Sequence, residues 1–226
     1  MTGSISTLSC GLFVLVVLLG TALDGSLPLA AYLLSFWHYY LYWLAFTFGR
    51  VPFGVFKRDA VAMKAVSVVA LAAAYLAAPL DIASLAVIAC GILLNVRAAA
   101  VLGVDRTYYG HEVAGLLPAR IAAFPYSLTA HPMILGNVAA FGGTLINPGF
   151  AQDWWPLAGL HVAFNIGLLA MELAGRVPAV RTGGSLVFAG TLVGAVVAAP
   201  LLGVAAVACA GTLYRCYAQE TKRRAS

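Results

Sequence analysis

Long apolar stretches, at roughly residues 6–22, 27–48, 63–79, 83–103, 127–146, 155–174 and 185–213, take up most of this 226-residue chain. Each comes near the roughly 20 residues with which an α-helix crosses about 30 Å of hydrocarbon. They are rich in Ala, Leu, Val and Gly and lack the period-two alternation of a membrane barrel. In lipid a segment must satisfy its own backbone N–H and C=O groups, which a helix does. Only 9% of residues are charged and 62% are hydrophobic, against about 25% charged in a soluble domain. The sequence therefore predicts an all-α, polytopic transmembrane bundle of about six to seven helices. The whole of 1–226 reads as one integral membrane domain, with no soluble domain, repeat or long linker.

Basic residues predict the orientation. The 49–62 connection and its edge hold Arg50, Lys57, Arg58 and Lys64; the 104–126 connection holds Arg106 and Arg120; the 175–184 connection holds Arg176 and Arg181. The connections between these hold Asp24, Asp81 and Asp153 and no Lys or Arg, which places the basic ones in the cytoplasm. A single span at 185–213 leaves Lys222-Arg223-Arg224 on the opposite side, whereas a break at Pro200 into a re-entrant pair returns it. Both readings stay open.

The net charge of +5 is spread over loops, where cations face anionic headgroups, so nucleic acid is not expected as a partner. Cys10, Cys90, Cys209 and Cys216 have no metal or redox spacing and read as small buried hydrophobes. The His residues have no Cys or Asp company and no i, i+4 spacing, so no metal is expected. Residues 6–22 lack a basic flank in front of them and read as an uncleaved span.

Polarity concentrates between Gly103 and Gly136, and polar groups at membrane depth or its edge default to a functional reading. Tyr108 and Tyr109 suit an interfacial anchor. His111 beside Glu112 forms a pair able to exchange protons near neutral pH. Phe124-Pro125-Tyr126 and His131-Pro132-Met133 are paired X-Pro breaks, each biasing its predecessor out of the helical region. They predict an irregular entry into the next helix, with His131 facing a ligand or a simple kinked loop as the alternatives. Outside this stretch, Arg97 and Glu172 lie in apolar surroundings, where an isolated charge is unfavourable unless paired or watered. A cation and a carboxylate on one polar cavity would suit a zwitterionic ligand. Asn137 and Asn165 read as hydrogen-bonding glue between helices.

The ordered set Gly91, Gly103, Thr107 with Gly110, Arg120, Phe124-Pro125-Tyr126, His131-Pro132-Met133 with Gly136, and Glu172 resembles the phospholipid N-methyltransferase family. That family belongs to the wider isoprenylcysteine-carboxyl-methyltransferase-like group of membrane methyltransferases. Tyr40-Leu-Tyr-Trp43 upstream looks like the family's first helix. The resemblance covers about 27–175, with helices 6–22 and 185–213 as additions. There are three departures: Ala89 for the first Gly of Gly-x-Gly, His131 for the Asn before Pro, and Met171 for the first Glu of a Glu-Glu pair.

The resemblance implies methylation of phosphatidylethanolamine, or of its mono- or dimethyl derivatives, toward phosphatidylcholine, with S-adenosylmethionine as methyl donor. A membrane phospholipid is then the partner. The site would lie on the cytoplasmic face, in the endoplasmic reticulum of a eukaryote or the inner membrane of a bacterium. An oligomer is permitted but not indicated. Ala89, Gly91, Met171 and Glu172 would border the cosubstrate, with Arg97 or Arg120 on its carboxylate or on the lipid phosphate. Tyr108, Tyr126 and Arg120 would meet the lipid, and Glu112, His111 or His131 would take the amine proton. Two other readings remain: a methyltransferase for another lipophilic acceptor, such as a prenylcysteine carboxylate or an isoprenoid, and a non-enzymatic membrane protein on the same scaffold.

Overall fold

The computed structural model describes residues 2–24, 27–48, 52–117, 121–174 and 178–223, and the regular elements among them are all helical. Among the described residues six helices are long and apolar enough to cross a membrane: α1 (Thr2–Asp24), α3 (Phe53–Leu76), α4 (Ile82–Leu102), α8 (Pro148–Ala174), α9 (Pro178–Ala198) and α10 (Pro200–Arg223). α2 (Leu27–Phe48) is as long and uncharged, but His38 and its Tyr and Trp residues lower its hydropathy. Between α4 and α8 lie the short α5 (Val104–Thr107) and α6 (Gly110–Ala114), then α7 (Pro132–Gly143), which a 3-10 turn extends over Thr144–Ile146. The chain is an integral membrane protein of the all-α polytopic class.

Several predicted bounds shift. The expected 49–62 loop is largely helix, because α3 begins at Phe53 and carries Lys57, Arg58 and Lys64 on its own turns. The expected span at 127–146 shortens, since the helix begins at Pro132. His131 has non-helical φ −127° and ψ 54° in front of the proline, as the steric clash with a following Pro ring favours. The twelve residues of α7 reach only about 18 Å, short of a full crossing. The 185–213 segment is neither one span nor a re-entrant pair. It is shared by two membrane-length helices that part at Ala199, where Pro200 supplies no N–H and opens α10. Gly203 lets α10 fold back on α9: a Cβ there would collide with the Val196 backbone. This hairpin returns the end of α10 to the side on which α9 begins.

The chain divides into two compact units, one comprising Met1–Ala70, Glu112–Ala114 and Arg176–Ser226, the other Leu71–His111 and Gly115–Gly175. In the first, α2 is buried on all sides from Leu33 to Phe46, as befits a helix apolar or aromatic all round. Trp37 stacks on Phe13 (centroids 3.6 Å, interplanar 13°), and Phe188 of α9 lies against Tyr40 and Trp43. Asp59, buried in α3, accepts hydrogen bonds from Ser6 Oγ (2.6 Å), Thr7 Oγ1 (3.0 Å) and Arg58 Nε (3.1 Å). A buried carboxylate is stable only with such partners.

In the second unit α4, α7 and α8 pack side by side. Ser84, Gly91 and Ala98 are the buried positions of α4, a seam at helical spacing with Asn95 between the last two. Ser84 Oγ donates to Gly143 O (2.7 Å) and accepts from Tyr75 Oη (2.8 Å). Asn147 caps α8, its Oδ1 accepting from Gly149 N (3.1 Å) and Phe150 N (3.3 Å), while Nδ2 donates to Pro79 O (2.8 Å). Cys10, Cys209 and Cys216 are buried as expected, but Cys90 is exposed because it sits on the flank of α4 away from the seam.

Candidate functional site

The second unit gathers its polar groups along the α4–α7–α8 contact. At one end, His131 Nδ1 lies 3.1 Å from Glu172 Oε2. His131 stands at the N-cap position of α7, without a side-chain capping bond, and Glu172 lies in the last turn of α8, so the pair sits where both helices end. Both side chains are partly open, at 31% and 28% of their full exposure. With Nδ1–H donated to the carboxylate, Nε2 keeps its lone pair, which is the tautomer a proton acceptor needs. The Tyr126 phenol belongs to the same cluster: burial, and then the Glu172 charge, push its pKa up.

Behind the pair runs a chain of side-chain amides. Asn95 Nδ2 donates to Met133 O (3.0 Å) and to Asn137 Oδ1 (2.7 Å). Asn137 Nδ2 donates to Asn165 Oδ1 (2.9 Å), and Asn165 Nδ2 donates to His161 O (2.9 Å). The fully buried His161 ring stacks on Phe141 (4.3 Å, 18°). Asn137 and Asn165 thus act as the expected bridge between helices. Asn95 and His161 join this network without having been marked by the sequence: Asn95 stands four residues after Gly91 on the same face, but an uncharged amide in an apolar helix carries no signal of its own.

The loop before α7 is built by glycines. Gly103 takes φ +84° after α4, with its N–H on Ala99 O (2.9 Å). A Cβ on Gly110 would stand 2.5 Å from Asp105 O, next to Tyr109, which holds a left-handed φ of 58°. Thr107 Oγ1 donates to Gly103 O (3.0 Å), so the Thr107–Gly110 spacing serves a tight double turn. His111 Nδ1 donates to Leu116 O (2.7 Å) within this turn, with the ring exposed. Tyr108 is half-buried and its phenol pKa is raised by that burial. The Phe124–Pro125 peptide is cis.

The remaining candidates fall as follows. Gly91 faces α7: a Cβ there would lie 2.5 Å from Ala140 N and from Gly136 O, so that side of it is filled by protein backbone. Ala89 and Arg97 lie on the exposed flank of α4, off the seam. Met171 is buried beside the open Glu172; a second carboxylate at that buried position would need a partner of its own. The side chain of Glu112, and Arg120 altogether, lie outside the described residues.

Fold and site together define a polytopic helical membrane protein whose second unit presents a His–carboxylate pair at the helix ends. Residues 80–174 of the chain match the phospholipid methyltransferase family. Apart from Glu112–Ala114 this segment lies within the second unit, and it contains every link from Asn95 to Glu172. No curated protein and no solved structure matches the chain.

Proposed function

We propose that the protein transfers a methyl group from S-adenosylmethionine to the nitrogen of phosphatidylethanolamine, or of its mono- or dimethyl derivatives, in phosphatidylcholine synthesis. What carries this reading is the His131–Glu172 pair, 3.1 Å apart inside the matched domain. The donor supplies a methyl on a cationic sulfonium. The residues fit it: an accessible carboxylate complements an ammonium or ribose hydroxyls, and Tyr126 adds an uncharged wall.

The chemistry asks little of the protein beyond placement. The amine nitrogen forms its bond to the methyl carbon as the carbon–sulfur bond breaks, and that electron pair stays on sulfur. The acceptor must first shed a proton from its ammonium form, and Nε2 of His131 receives it while Glu172 stabilises the imidazolium. A positioned base of this kind contributes about 10²–10⁴-fold, and alignment in line supplies up to roughly 7–11 kcal/mol of the barrier. His111 and Glu112 are the other bases the reading allows. Arg97 or Arg120 takes the lipid phosphate or the donor's carboxylate, and Tyr108 flanks the lipid headgroup. Because the basic connections face the cytoplasm by the distribution of Lys and Arg, the site opens on that side.

The test is direct: purified protein with labelled S-adenosylmethionine and each of the three ethanolamine lipids. Label appearing in the lipid nitrogen supports the reading. A folded protein that labels none of them sinks it, and label in a prenylcysteine ester or an isoprenoid redirects it to another acceptor.

A further inference from the structure

We propose that the Asn137–Asn165 pair, braced by Asn95, is a register lock that sets the geometry of the His131–Glu172 pair. α7 and α8 run antiparallel, and their facing polar pairs form two rungs. One is His131–Glu172 at 3.1 Å, the other Asn137–Asn165 at 2.9 Å. Six residues separate the rungs along α7 and seven along α8, or roughly 9 and 10.5 Å of rise. A slip of one residue moves one helix about 1.5 Å against the other, half the length of the His131–Glu172 contact.

Farther along the interface, the Phe141–His161 stack between α7 and α8 and the Ser84 Oγ bond to Gly143 O between α4 and α7 also oppose such a slip, ten and twelve residues along α7 from His131. The α4–α7 seam at Gly91, Gly136 and Ala140 brings backbones close. Nearest the His131–Glu172 pair, register comes from directional contacts, as a buried Asn supplies in a coiled coil. The amides meet that need because their hydrogen bonds run in one direction along the chain of residues. Asn95 donates to Asn137, Asn137 to Asn165, and Asn165 to the His161 carbonyl. Asn95 also donates to Met133 O, two residues from His131, and so ties the first turn of α7 to α4. The lock acts on the reaction through His131 and Glu172, as positioning residues do. Its catalytic consequence rests on the methyltransferase reading; its structural consequence does not.

The test compares Asn165→Leu, which removes the rung, with Asn165→Asp, which keeps an acceptor oxygen for Asn137 Nδ2. Two readouts are taken on full-length protein in lipid nanodiscs. The first is the Kd for S-adenosylmethionine. Asn165→Leu weakens it by about tenfold to 100-fold, as loss of a charged hydrogen bond from Glu172 to the donor would, and Asn165→Asp by no more than about threefold. The second readout needs no activity. With native cysteines replaced by Ala, His131→Cys and Glu172→Cys are joined by a short bifunctional thiol reagent. The cross-link yield falls with Asn165→Leu and holds with Asn165→Asp. Asn137→Ser supplies the same comparison if Asn165→Leu does not fold. An unchanged cross-link with the rung removed overturns the lock, as does an equal loss with both Asn165 variants. If the parent protein binds no S-adenosylmethionine, the functional reading has failed and the cross-link still decides the lock.

Discussion

Substituting Gly91 by Ala separates two roles that a motif glycine can have. A Cβ at this position would lie 2.5 Å from both Ala140 N and Gly136 O, roughly 1 Å inside ordinary van der Waals separation. Both obstacles are helix backbone, so neither can rotate away, and α4 and α7 must part by about that distance. The parting carries the Asn95–Asn137 bond from 2.7 Å to about 3.7 Å, beyond hydrogen-bond range. Overpacking costs about 1–3 kcal/mol and the weakened bond about 1 kcal/mol more. For a chain of this size that lowers Tm by roughly 4–15 °C. The assay is thermal unfolding in detergent or nanodiscs, run beside S-adenosylmethionine binding. A glycine needed for packing gives a lower Tm. A Gly91→Ala protein with unchanged Tm and lost binding would refute the packing argument and make Gly91 a ligand contact. Ala86→Leu, at an exposed position of the same helix, is the control and leaves both quantities alone.

Further outcomes are expected at three places. Glu172→Gln weakens S-adenosylmethionine binding if the carboxylate holds the donor. It also removes the negative charge that helps raise the Tyr126 phenol, so that phenol titrates closer to its ordinary value near pH 10. Alkaline difference spectra, with Tyr126→Phe to assign the signal, show the downward shift; no shift would place Glu172 away from Tyr126. Asn147→Ala removes the α8 cap and the Nδ2 bond to Pro79 O, costing about 1–3 kcal/mol in thermal unfolding. Asn147→Asp recovers the capping part alone. Gly203→Val breaks the close turn of α9 into α10, and protease accessibility at Ala199 rises; unchanged accessibility would refute the tight hairpin.

The polar cluster illustrates how a site can be half legible in a chain. Glu172, His131 and Tyr126 were visible singly, because a charge or a His-Pro break among apolar residues stands out at membrane depth. That they meet was not visible: forty-one residues separate His131 from Glu172, and no local spacing connects them. Asn95 was hidden for the opposite reason. Its four-residue offset from Gly91 is regular, but an uncharged amide in an apolar helix has no signal until its partner is known. Arg97 drew attention by its charge, yet the helical period turns it away from the Gly91–Asn95 face.

What the residues determined alone was the solvent and the element type, since backbone groups in hydrocarbon leave little choice but helix. They also determined the resemblance to lipid methyltransferases, through a run of glycines, prolines and polar residues in fixed order. Element ends were less certain, because hydropathy averages over a window whereas a helix stops at a single proline, as at Pro132 and Pro200. Tertiary structure alone decided which glycines face backbone, which asparagines pair, and that His131 meets Glu172. Those facts depend on the relative rotation and register of α4, α7 and α8. Rotation and register follow from contacts between segments, and no segment carries that information by itself.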